Sequence, residues 1–140
     1  MDDPDLGPMS WNEQLEWWEG SIRLTSDIPF ILCVFARPRE TNARAITQQS
    51  RHAIERVRSL ERASREYAAD QLLEIHNSEW AQGNPISGEE FSRRLVPDSL
   101  VIHETGYAEI HFRDGGLFWG HSVSVRIQAD GNLQEAVVEG

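Results

Sequence analysis

Apolar residues recur along this chain with the two periods that separate strands from helices. Trp18–Thr25 alternates, with Trp18, Gly20, Ile22 and Leu24 on one face and Glu19, Ser21, Arg23 and Thr25 on the other. Ser26-Asp27 can turn the chain into Ile28–Ala36, an unbroken apolar run. A two-residue loop makes these a hairpin and sets Trp18, Ile22 and Leu24 beside Ile31, Cys33 and Phe35. Phe30, Leu32 and Val34 then form a second apolar face, to be covered by helices or used as a contact surface.

After the break at Arg37-Pro38, Thr41 or Asn42 can cap a helix. Helical spacing runs through Ile46, Ala53, Val57, Leu60, Tyr67 and Leu72 toward Trp80. That span exceeds an ordinary helix, and a break near Ser59 is expected to divide it. Glu61–Arg65 and Arg62–Glu66 support a solvated outer face. Ser87-Gly88-Glu89-Glu90 has capping-box spacing and predicts a short helix ending before Pro97.

The remainder reads as a meander of four strands: Ser99–Glu104, Tyr107–Arg113, Leu117–Gln128 and Leu133–Glu139. Thr105-Gly106, Asp114-Gly115-Gly116 and Asp130-Gly131 supply the turns. If every loop is even in length, Val101, Ala108, Ile110, Phe112, Trp119, Val123, Val125, Ile127, Ala136 and Val138 share one face. His103 and His121 fall on that face too, whereas Phe118 and Arg113 point away. Glu109, His111, Ser124, Arg126 and Glu135 occupy the other. The fold expected is α+β: an N-terminal β-hairpin, two or three helices, then a four-stranded antiparallel meander with helices packed on the sheet. Residues 1–16 read as an acidic, loosely ordered arm, and residues 17–140 as a single domain.

At 140 residues, with 39% hydrophobic residues and five Trp, the chain can bury a core without staples. No apolar run approaches the ~20 residues of a membrane span. Met1–Asp5 lacks the layout of a signal peptide, and the lone Cys33 sits in an apolar run, so a cytoplasmic protein is expected. All 13 basic residues are Arg, against 23 acids, for a net charge of −10. That balance argues against nucleic acid or an anionic membrane as partner.

No Gly-rich phosphate loop, nucleophile elbow or metal-ligand spacing stands out, so no cofactor, metal or catalytic residue is expected. Trp119, His121, His111 and Glu109 are the candidate binding residues. A bulge at Gly120 would swing His121 out beside His111 and Glu109. Without it, Trp119 and His121 belong to the core. A partner surface is expected at Phe30, Leu32 and Val34, or on the helical arginine stripe that includes Arg51 and Arg58.

Two stretches together resemble a known family. One is Glu66-Tyr67-Ala68-Ala69-Asp70-Gln71-Leu72-Leu73 with Asn77 and Trp80, then Glu90-Phe91 and Leu95. The other is Ile110 through His121, whose Phe118-Trp119-Gly120-His121 is the most specific part. Their order and spacing are similar to the bacterial domain of unknown function 2262 family, over roughly residues 17–140. The resemblance implies a prokaryotic α+β domain and supplies no activity. The function expected is a non-catalytic binding protein, in the manner of an acidic immunity-type inhibitor of a basic protein such as a toxin. Homodimerisation is compatible with it. The alternative is a small histidine-dependent enzyme or a ligand- or metal-binding domain using the His121 region.

Overall fold

The computed structural model describes residues 2–3, 7–25, 28–36, 43–103 and 106–139. The predicted Ser26-Asp27 turn, the Arg37-Pro38 break, the Thr41 or Asn42 cap and the start of the Thr105-Gly106 turn lie outside them. For Ile28–Ala36 the backbone alone is described.

Two short strands, β1 (Asp2–Asp3) and β2 (Gly7–Pro8), pair with each other. The main sheet has seven strands in the order β3-β4-β5-β6-β7-β8-β9. Ser10–Asn12 is β3, Trp17–Thr25 is β4 and Ile28–Ala36 is β5. Pairing of Trp18 with Phe35, Gly20 with Cys33 and Ile22 with Ile31 gives the predicted hairpin register. β5 then lies parallel to β6 (Val96–His103). Parallel neighbours need a long crossover, and the helices provide it, so hairpin and meander become one sheet. β7 (Ala108–Arg113), β8 (Ser122–Ile127) and β9 (Leu133–Glu139) complete the sheet with antiparallel pairings.

The crossover is one long helix, α1 (Ala43–Ile75), running into a π-helical turn at His76–Trp80. The expected break at Ser59 is absent. No Gly or Pro interrupts residues 43–80, and the Ser59 hydroxyl donates to the Arg56 carbonyl at 2.9 Å, a shared acceptor that the continuous helix accommodates. At 33 residues, α1 is roughly 50 Å long. A short α2 (Gly88–Arg94) starts where the capping box predicts, with Ser87 Oγ accepting from the Glu90 N–H. No described helix is long and apolar enough to cross a membrane.

α1 packs on β4, β8 and β9, so the described helices lie on one face of the sheet. Ala53, Ile54, Val57, Ala68 and Leu72 meet Leu100, Ile102, Ile110, Phe112, Val123 and Val125 in the core. Leu60 and Tyr67 flank this stripe, and Glu61 and Ser64 are buried within it. Glu61 is therefore not on the solvated face expected of it. Arg65 accompanies it, with Nη2 donating to Glu61 Oε2 at 3.2 Å and Nε 2.6 Å from Oε1, which keeps the buried carboxylate paired.

Two register expectations fail, each for a local reason. His103 N–H donates to the Tyr107 carbonyl, which leaves three residues between this pair, an odd loop where an even one was expected. A one-residue slip exchanges faces. Val101 accordingly pairs with Glu109 on the outer side, and Leu100 and Ile102 take the core. His103 moves to the outer face with Val101. Second, β8 begins at Ser122 and not Leu117, because the chain turns twice before it. Leu117 and Phe118 are buried, whereas Trp119, expected in the core, is 62% exposed.

Candidate functional site

The double turn lies between β7 and β8. Leu117 N–H donates to the Asp114 carbonyl, and His121 N–H donates to the Phe118 carbonyl. The central residues of both turns have positive φ: Gly115 (59°) and Gly116 (85°), then Trp119 (56°) and Gly120 (94°). Glycine takes this conformation readily. An L-residue such as Trp119 is strained there by roughly 1–2 kcal/mol.

The buried Asp114 carboxylate holds the segment in place. Its Oδ1 accepts from Gly116 N–H (3.1 Å), and its Oδ2 accepts from Phe118 N–H (2.8 Å) and Gly120 N–H (3.0 Å). One acid thus ties both turns together with charge-assisted bonds. From α2, Arg94 donates through Nε and Nη2 to the Gly115 carbonyl. A side chain at Gly115 would meet the Arg94 backbone, so glycine is required there for space as well as for φ.

The tip of this knuckle is aromatic. Trp80, from the π-helical turn, meets Phe118, Trp119 and His121 edge to face at centroid distances of 5.4, 4.8 and 5.6 Å. Beneath it, buried His76 packs against Phe91 and Phe118. Asn77 fixes the next loop, its amide donating to the Ile86 carbonyl and its oxygen accepting the Ile86 N–H. Phe118 and Leu117 anchor the knuckle in the core, and Trp119 projects from it.

A second cluster occupies the sheet face away from the helices. Glu109 gathers three partners: His103 Nε2 at 3.4 Å, His111 Nε2 at 3.5 Å and Arg126 Nη2 at 3.3 Å. His111 Nδ1 lies 3.4 Å from Glu139, which also accepts from Ser124 Oγ. Tyr107 stacks on His103, and Arg126 lies over the Tyr107 ring. Burial lowers the His103 pKa; Glu109 pulls against that shift, and Arg126 and His111 reinforce it. Among the described residues, no group of three His, Cys, Asp or Glu is placed to hold a metal.

The four candidate binding residues therefore divide between two places. Trp119 and His121 meet at Trp80, and His111 and Glu109 meet on the open face with His103. Gly120 forms a turn, and the strand bulge that would have carried His121 to His111 is not there. Arg51 is exposed on α1, while Arg58 Nη2 donates to the Arg23 carbonyl and ties α1 to β4. By backbone register Phe30, Leu32 and Val34 stand opposite Arg23, Ser21 and Glu19. Sequence reasoning missed Asp114 and Trp80. The signal for Asp114 is its position before two glycines, which by spacing alone indicates a hairpin turn.

No curated protein and no solved structure matches the chain. A family model described as an uncharacterized protein conserved in bacteria, the domain of unknown function DUF2262, matches residues 3–138. The match begins well before residue 17, where the sequence resemblance was expected to start. It spans the knuckle, where Trp80 meets Phe118, Trp119 and His121 and Phe91 meets Phe118. The chain belongs to this bacterial DUF2262 family.

Proposed function

We propose that this protein is a non-catalytic binding protein that docks a basic partner protein, in the manner of an immunity-type inhibitor. The observation that carries the reading is Trp119: it is 62% exposed, strained at φ 56°, and fixed from below by Asp114. Strain retained at an exposed aromatic residue does nothing for the core and suggests use elsewhere. Interfaces concentrate their energy in a few residues, tryptophan prominent among them, and a pre-fixed side chain loses less entropy on docking. A net charge of −10 favours encounter with a cationic partner.

The test is affinity capture from bacterial lysate by the tagged full chain at low salt, comparing wild type with Trp119→Ala. A basic protein retained by the wild type, released by salt and lost with Trp119→Ala at unchanged thermal stability supports the proposal. Identical retention by the two chains rejects it.

A second reading, a histidine-dependent ligand site, draws on one observation, the shared contact of His103 and His111 with Glu109. Binding of a small molecule that disappears in a folded His111→Ala variant would favour it over docking.

A further inference from the structure

We propose that the β9 edge accepts an extended basic strand from the partner, with alternate arginine or lysine side chains lying over the open sheet face. The inference rests on the docking reading above and adds a surface and a partner chemistry to it.

β9 is a terminal strand of the sheet. It pairs with β8 on one side, and among the described residues no strand lies on the other. Its seven residues contain neither proline nor glycine, so the outer backbone edge is a continuous row of hydrogen-bonding groups. The opposite edge, β3, is only three residues long. Such an edge can take an added strand, whose main chain gives affinity and whose alternate side chains give specificity.

The side chains of β9 say which strand fits. Register places Glu135, Val137 and Glu139 on the open face, opposite Arg126, Ser124 and Ser122 of β8. Ala136 and Val138 point the other way, against the core. An added strand would therefore meet carboxylates at two of three outward positions and apolar residues at the inward ones. A notch of about 40 Å³ opens on the outward side, lined by Glu109, Ser124, Arg126, Glu135, Val137 and Glu139. Three carboxylates against one guanidinium make it an electronegative recess. Its volume is about that of three water-sized spheres, comparable to a guanidinium or ammonium head. An arginine opposite Val137 is one strand spacing, about 4.8 Å, from β9 and can reach over Val137 into the notch. The fitting pattern is basic–apolar–basic–apolar–basic.

The same acids disfavour other occupants. A second copy paired about Val137 would set Glu135 against Glu139, like charges directly opposite. Neutral or acidic strands would bring no cation to Glu135 and Glu139.

The test uses the full chain and a fluorescein-labelled peptide, Thr-Arg-Val-Arg-Val-Arg-Thr. A control peptide of the same composition groups its arginines and valines into blocks. The alternating peptide should bind at least about tenfold more tightly, a difference of 1.4 kcal/mol. It should slow amide exchange at residues 133–139. Glu135→Gln with Glu139→Gln should weaken it at least about tenfold, while Glu66→Gln with Asp70→Asn, the same charge loss on the exposed side of α1, should not. Equal binding of the two peptides, unchanged exchange in β9, equal effects of the two double variants, or dimerisation of the free chain through β9 in light scattering would each overturn the proposal. Failure here with Trp119-dependent capture intact removes the strand site and leaves the docking reading; failure of both removes both.

Discussion

Replacing Asp114 should damage this protein more than any exposed turn residue would. Its carboxylate is buried and accepts N–H groups from Gly116, Phe118 and Gly120 at 2.8–3.1 Å. Bonds to an ionised acceptor contribute about 1.5–3 kcal/mol each, but three bonds on one carboxylate do not add in full. Asp114→Ala leaves three amides without their acceptor and removes the only link between the two turns that the Asp114 side chain makes. The expected loss is about 3–5 kcal/mol. Asp114→Asn can keep an oxygen toward Phe118 and Gly120 but turns its NH₂ toward the Gly116 N–H, two donors facing each other. Its expected loss is about 1–2 kcal/mol. Urea unfolding followed by far-ultraviolet circular dichroism measures both, with a constant m-value showing that the native fold is intact. At roughly 4 °C per kcal/mol, the Ala variant should melt about 12–20 °C lower. A loss below about 1 kcal/mol for Asp114→Ala, or an Asn variant as damaged as the Ala variant, would refute this account of how the knuckle is held.

Three further expectations follow from particular residues. At position 119 glycine should be more stable than alanine by about 1 kcal/mol in urea unfolding, since both lack the indole and differ mainly in tolerance of positive φ; an alanine variant as stable as glycine contradicts the strain. Burial holds the folded-state pKa of His103 below its ordinary 6.5, so the folded state binds fewer protons there than the unfolded chain. That contribution to stability is complete above pH 6.5 and declines as pH falls below it; His103→Gln should flatten the pH dependence of stability in that window, and an unaltered slope tells against it. Ser59→Ala should be neutral or stabilising by up to about 0.5 kcal/mol, and Ser59→Pro should cost about 3 kcal/mol or more, measured by thermal melts; a harmless proline would mean that α1 is discontinuous there.

Much of the fold can be read from alternation. The β4–β5 hairpin, the inward faces of β7, β8 and β9, and the Ser87 cap follow from residue spacing, because each rests on neighbours a few positions apart. The unbroken run of α1 through Ser59 shows how weakly an exposed serine constrains a helix whose apolar stripe is anchored on both sides. The face of β6 was not legible, since it depends on whether the loop before Tyr107 is odd or even. Its change of side is what brings His103 to Glu109 and His111. Trp119 was misplaced because a tryptophan between two strands reads as core, and local propensity does not anticipate a left-handed tryptophan.

The sequence by itself determined the α+β class and the inward faces of β4, β7, β8 and β9, because hydrophobic periodicity is a local property that burial then enforces, and its motifs at 66–95 and 110–121 pointed to the family. Only the tertiary structure decided that hairpin and meander form one sheet, since the parallel β5–β6 pairing closes across the whole helical crossover. It also decided where the aromatic residues go. Asp114 reaches two turns at once, and Trp80 arrives from the end of a distant helix. Trp80 comes from far along the chain, and three hydrogen bonds to one buried carboxylate outweigh both the positive-φ strain at Trp119 and the burial that strand alternation would have given it.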